Sequence, residues 1–414
     1  MRRLGVVFAI PAFLTITLLS LAASPATNYE RTLYTFTGGT FGEFPGELTY
    51  DGTGNLYGVS EGGIVSDFGM VFQLSSSSGF RVVYKFRGGK PDGHNPVGKL
   101  VMDKSGNLYG ATSAGGQYGM GAVYELTPAG NGQWTETVLF SFGGGVLTDA
   151  LNPSGGLIFD AAGNLYGVTS SGGTYYRGGT VYELSHLPGG GWSETVLYSF
   201  GVNSYSPIGS LVFDDLGNLY GCTGGGGIYH YGTVFELAPS SSGDWSESLL
   251  HSFGGSSTDG ISPTAGVVFD SEGNLYGTTL GSLGPVCCGI VFELSKPSLS
   301  RNAWTETILY NFGNPGDGSE PEAAVSFDSN GNLYGSTEFG GAFGQGTVFR
   351  LTPQPDGRWL EGIYSFTGGT DGGQPTSGVV FDTAGHLYGT TLSGGLGYGV
   401  VFEAFPPSAP LKLR

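Results

Sequence analysis

Two short tracts gather side chains able to bind or react. TYYRGG (174–179) sets Tyr175 and Tyr176 beside Arg177, and IYHYG (228–232) sets Tyr229 and Tyr231 around His230. Tyrosine faces stack on the apolar side of a pyranose while nearby carboxylates and backbone groups bond its hydroxyls; an arginine pairs with a ligand carboxylate or with a neighbouring loop. Tyr118, in a third such tract, and Asp92 and His94 in GGKPDGHNP (88–96) complete the candidate ligand-binding set. The ligand these residue types suit is an extracellular glycan or a protein. Glycine-rich loops also use tyrosine to pack over themselves, and the sequence leaves that second reading open.

Metal and acid–base chemistry would draw on other loops. Asp259, Asp317 and Asp371 stand in STDGISP, GDGSEP and TDGGQP, and hard cations want several oxygens. Calcium is the cation these three would hold, although the spacing matches no EF-hand and Asp-Gly is equally the mark of a turn. No other cofactor is expected. Paired carboxylates for glycosidic cleavage would come from Asp317 or Glu320 with Glu338. A secreted polysaccharide hydrolase or lyase is therefore the enzymatic alternative to a non-catalytic binding module. His186 and His251 fall outside these loops, which leaves His94 and His230 for a site. Cys222, Cys287 and Cys288 are an odd number, and an adjacent-residue disulfide, a bridge from Cys222 and free apolar thiols all stay open.

All of these residues belong to one repeat. GNLYG or a close variant occurs seven times, with its tyrosine at Tyr57, Tyr109, Tyr166, Tyr220, Tyr276, Tyr334 and Tyr388. A period of 52 to 58 residues suits the four-stranded antiparallel blade of a propeller. In the fifth unit PTAGVVFD (263–270), GNLYGTT (273–279), GIVFEL (289–294) and WTETILYNF (304–312) read as strands A to D, bounded by Gly, Pro, Asp and Asn. Between A and B, Asp270 accepts from the backbone N–H two residues on and Gly273 takes a positive φ. Asp51, Asp103, Asp160, Asp214, Asp328 and Asp382 are structural by the same logic, as is His386 on the last of these turns. The five tryptophans, Trp134, Trp192, Trp245, Trp304 and Trp359, all open strand D, and a shared register means packing between blades.

The chain begins its repeat mid-blade. YERTLYTF (29–36) matches WLEGIYSF (359–366) as a D strand without a blade, and GVVFEA (399–404) is a C strand with no D strand after it. Pairing the two closes the ring and removes both exposed edges. The expectation is an all-β fold: a seven-bladed β-propeller of four-stranded antiparallel blades over 27–405, closed by its N-terminal strand, with a short tail at 406–414. On such a ring the D-to-A and B-to-C loops share one face around the channel, and the ligand-binding candidates all lie on them.

With GNLYG, a Gly-Gly and GTVFEL or GTVYEL recurring in that order, the sequence resembles the GloVer-type tandem-repeat family of exported bacterial proteins over residues 29 to 404. More loosely, the paired glycines after strand B and the tryptophan opening strand D are similar to kelch repeats. The resemblance implies an exported propeller and assigns no activity and no site residues.

The N-terminus agrees with export. MRRLGVVFAIPAFLTITLLSLAASPA has the basic start, apolar run and small residues of a secretory signal peptide over 1–26. The expected location is extracellular or periplasmic, with no membrane insertion after cleavage and a monomeric chain. A formal net charge of −18, without Lys/Arg clusters, argues against nucleic acid, whose binding depends on counterion release. Glycine at 79 positions and only 12% charged residues suit many short strands joined by tight turns.

Overall fold

The structure, a computed structural model, describes residues 30–39, 42–62, 68–130, 132–145, 149–175, 178–283, 288–298 and 302–404. Seven antiparallel meanders form the blades of a propeller, each running from an inner A strand to an outer D strand. Blade 2 is typical, with Gly93–Met102, Leu108–Gly115, Ala122–Pro128 and Trp134–Ser141 paired in that order.

The seventh blade is built from both ends of the chain. Its first three strands are Val380–Phe381, Leu387–Thr391 and Val400–Ala404, and its fourth is the N-terminal Glu30–Thr35. Glu30 faces Ala404 and Thr35 faces Val400, and Arg31 pairs with the buried Glu403 across the seam. The clasp expected from the unmatched D and C strands is therefore present.

The core lies between blades as layers of aromatic contacts. Each GNLYG tyrosine meets the A strand of the next blade: Tyr109 stands edge-on to Phe159 at 5.1 Å and Tyr276 to Phe327 at 5.0 Å. The last phenylalanine of each D strand meets the next C strand, as in Phe86 with Tyr124 and Phe312 with Phe349, both at 5.1 Å. Phe36 of the clasp, fully buried, makes this contact to Phe72 of blade 1. Trp134 packs against Tyr57 of the preceding blade at 6.0 Å and Trp304 against Tyr220 at 6.3 Å, the interblade role their register implies.

The A-to-B turn works as its sequence states. Asp270 Oδ1 accepts the backbone N–H groups of Glu272 and Asn274, while Oδ2 accepts the Asn274 amide and the Tyr276 hydroxyl. Burial alone would raise this carboxyl, but the donors together hold it below its ordinary value. In the seventh turn His386 Nδ1 takes the place of the asparagine amide, 2.9 Å from Asp382.

Strand A departs from the expected single run. In blade 5 it is split into Gly260–Ile261, paired with Gly281–Ser282, and Val268–Phe269, paired with Leu275–Thr279. Pro263 has no donor to give the ladder. Gly266 packs against the neighbouring A strand instead, so closely that a Cβ there would lie 2.1 Å from the Ser210 carbonyl oxygen.

A proline stands at this point in every blade, and the residue before it has a positive φ: Phe44, Asn95, Asn152, Ser206, Ser262, Glu320 and Gln374, all between 53° and 59°. That conformation costs a non-glycine residue about 1–2 kcal/mol, and contacts from the previous blade hold it. Ser262 N donates to Tyr231 O at 2.8 Å and Glu320 N to Cys288 O at 2.9 Å. Prolines in register in the sequence were the signal for these positions. Among the described residues no helix is long and apolar enough to cross a membrane.

Candidate functional site

Because each blade is a meander, its B-to-C loop returns to the end where the D-to-A loop enters. Backbone bonds tie the two loop sets together, among them Gly116 N to Asp92 O at 2.8 Å and Gly341 N to Asp317 O at 2.6 Å. Exposed apolar side chains concentrate on this face: Ile228 is 76% exposed, Leu396 67%, Tyr175 62% and Phe343 60%. On the opposite turns, among the described residues, Leu187 and Leu216 are the large apolar side chains left open.

The rim tyrosines stand on glycine. A Cβ on Gly144 would lie 2.4 Å from the Tyr118 ring, one on Gly201 2.9 Å from Tyr175, and one on Gly254 2.4 Å from Tyr231. Tyr229 covers Gly255 in the same way. Each ring thus packs one face on the D-to-A loop of its own blade and leaves part of itself in solvent. Tyr176 and Arg177 lie outside the described residues. His230 is exposed with a φ of 66°, and among the described residues it is the one non-glycine residue with positive φ outside the proline latches.

Of the other two members of the candidate set, Asp92 lies on its D-to-A loop as expected and His94 does not. His94 belongs to strand A rather than to a loop, and its ring lies 5.5 Å from that of Phe68. Asp92 accepts the Arg87 N–H at 2.6 Å and faces the cleft between blades 1 and 2. Burial, then the negative charge of Asp92, pushes the neighbouring Glu136 up to about 7.

Asp259, Asp317 and Asp371 each occupy a different interblade cleft. Five of the seven clefts carry the same three parts: an aromatic near the end of strand D, an acid of the D-to-A loop, and a glutamate of the next D strand. Between blades 5 and 6, the Tyr310 hydroxyl lies 3.1 Å from Asp317 and 2.8 Å from Glu361. Between blades 6 and 7, Tyr364 bonds Asp371 at 3.0 Å, and burial pushes Glu30 there up to about 7. Between blades 3 and 4, Tyr198 bonds Glu247 at 2.9 Å. Between blades 2 and 3 the aromatic is Phe140, without a hydroxyl, and burial followed by the charge of Asp149 pushes Glu194 up to about 7.

Between blades 4 and 5 the aromatic is a histidine. His251 Nε2 stands 3.5 Å from Asp259 Oδ1 and 3.7 Å from Glu306 Oε1. All three atoms are buried and none has a hydrogen-bond partner. His251 lies on strand D, outside the candidate loops, yet its side chain meets the loop aspartate because the end of strand D borders the cleft. The signal that would have found it is a break in the repeat, a histidine where other blades carry tyrosine or phenylalanine.

A second acidic group lies nearer the axis. The A strands surround a channel of about 560 Å³ whose lining includes Glu47, Lys99 and Glu322. Burial, then the charge of Glu338 and its hydrogen bond, pushes Glu322 up to about 7. Glu320 adds to the negative field at both, so Glu320 and Glu338 are brought together while Asp317 is not. Cys222 is buried and free, its thiol pushed up to about 12 by burial, which removes the bridge drawn from it. Cys288 is disulfide-bonded, and Cys287 lies outside the described residues.

A closed ring of like blades with one aromatic, loop-built face defines a repeat-built seven-bladed β-propeller. The chain belongs to the Gloeobacter/Verrucomicrobia repeat family, whose model matches residues 17–146, 131–302 and 282–412. No curated protein matches it. Among solved structures, a glucose dehydrogenase is similar at 14% identity and a TM-score of 0.42, over 91% of this chain and 99% of the other. A protein of unknown function from Dyadobacter fermentans DSM 18053 is similar at 12% identity and a TM-score of 0.46, over 91% and 98%. An endo-arabinase from Bacteroides thetaiotaomicron VPI-5482 is similar at 12% identity and a TM-score of 0.36, over 63% and 95%.

Proposed function

We propose that this chain is a secreted, non-catalytic binding propeller that takes a carbohydrate or protein ligand on its loop-rich face. The observation that carries the reading is the concentration of half-open aromatic rings there, among them Tyr118, 52% exposed, and Tyr229, 45% exposed, each seated on a glycine loop. A tyrosine held on one face and open on the other contributes contact area at little cost in side-chain entropy, which is what a binding surface requires. The acidic group of Glu320, Glu322 and Glu338 favours one second reading, cleavage of a polysaccharide, with Glu322, pushed up to about 7, supplying a proton.

The test is binding of the purified protein to a broad glycan panel, alongside a Tyr175→Ala/Tyr229→Ala/Tyr231→Ala variant shown to be folded. Selective binding that weakens at least about tenfold in the variant is expected, each good aromatic contact contributing roughly 1 kcal/mol. Equal binding by both proteins would overturn the placement of the site. Product release that disappears in Glu338→Gln would establish the enzymatic reading instead.

A further inference from the structure

Other clefts also hold unpartnered carboxylate oxygens, such as Asp92 Oδ1 and Glu136 Oε1, but the cleft between blades 4 and 5 adds an unpartnered imidazole nitrogen to them. Two buried carboxylate oxygens and an imidazole nitrogen point at one another, and none is hydrogen-bonded. The distances of 3.5 and 3.7 Å from His251 Nε2 exceed the roughly 2.7–3.2 Å of an N–H···O bond. They fit another arrangement. Two ligands each about 2.0–2.2 Å from an ion, at a tetrahedral angle, stand roughly 3.3–3.6 Å apart.

The surrounding residues fix this orientation. Asp259 is 3% exposed, and its Oδ2 accepts the Gly255 N–H at 2.7 Å, which turns the unpartnered Oδ1 into the cleft. Such an outer contact is how metal-binding carboxylates are commonly held. The His251 ring packs against Phe253 at 4.7 Å. The three ligand atoms all lie within 4.8 Å of one another.

We propose that His251, Asp259 and Glu306 bind one divalent first-row transition-metal ion, of the zinc class, between blades 4 and 5. The donor set decides the class. An imidazole with two carboxylates suits zinc and its neighbours, whereas calcium and magnesium take oxygen ligands. Three protein ligands leave a fourth position, which a water fills through the partly open sides of His251 and Glu306. The other clefts serve as internal controls, because where the sequence has Tyr310 a hydroxyl occupies the space between the acids and no nitrogen ligand is present.

The test uses the untagged purified chain, stripped with chelator and titrated with Co²⁺ and then Zn²⁺. One equivalent of Co²⁺ should bind with the visible absorption of a four-coordinate site, Zn²⁺ should displace it, and Ca²⁺ should not. His251→Tyr installs the residue that other blades carry, and it should fold while losing the absorption band. Its Zn²⁺ affinity should fall by more than the roughly 10–100-fold that loss of an outer contact costs. If that variant fails to fold, Asp259→Asn gives the same reading, since its carboxamide oxygen stays on Gly255 N–H and turns the NH₂ toward the ion. Absence of stoichiometric uptake by the parent chain overturns the proposal. So does an unchanged band in either folded variant.

Discussion

The cleft between blades 5 and 6 and the one between blades 4 and 5 have the same strands and the same pair of acids, and they differ in one side chain. In the first, the Tyr310 hydroxyl lies between Asp317 and Glu361; in the second, His251 faces Asp259 and Glu306 without a bond to either. A tandem repeat therefore supplies its own reference state. What is common to all clefts belongs to the fold, and what is peculiar to one marks a special task.

Removing one cleft entirely has the largest expected effect. Deleting residues 27–37 takes Tyr34 and Phe36 from the seam with blade 1 and Glu30 from the cleft beside Tyr364. The Val400–Ala404 strand is then left as an unpaired edge, and the chain should aggregate; a soluble deletion variant with an unchanged melting temperature would refute closure by the N-terminal strand. A smaller effect separates the two clefts directly. Tyr310→Phe leaves two acids without their shared hydroxyl and should cost about 1–3 kcal/mol, read by chemical denaturation. A loss below about 0.5 kcal/mol would mean that the hydroxyl contributes no net stability there.

The smallest effect is on the pH profile. Glu194, beside Phe140, titrates at about 7 in the folded chain against an ordinary value of 4.5. The folded state therefore holds this proton more tightly than the unfolded state does. The resulting stability is complete below about 4.5 and is lost as pH rises through about 7. The melting temperature should fall between pH 5 and pH 8, and Glu194→Gln should make the fall shallower. An identical profile in the variant would show that Glu194 has no part in it.

Most of the fold could be read from the sequence because the repeat states it seven times. The Asp-x-x-Gly-Asn turn, the tryptophan register and the unmatched D strand at the start are local patterns, and each specifies a local or edge-to-edge pairing. The split of strand A was hidden because it depends on how closely Gly266 approaches the neighbouring strand. The site was less legible for the same kind of reason. His251, Asp259 and Glu306 come from a D strand, a loop and the next blade's D strand, and only the lateral packing of blades brings them together. Tyr118, Tyr175, Tyr229 and Tyr231 were legible as exposed loop aromatics; the glycines beneath them were not, since glycine in a loop does not announce what covers it.

The pairing of Glu30 with Ala404 sets a condition on biogenesis. The Glu30–Thr35 strand must wait for Val400–Ala404 to be synthesised before the ring can close. Strand pairings this distant in sequence form slowly, because the intervening chain must be ordered before they add stability. Chains cut short by a premature stop therefore retain two open edges and remain open to chaperones and proteases. Those that reach Ala404 can close, so the clasp acts as a check that all seven blades have been made.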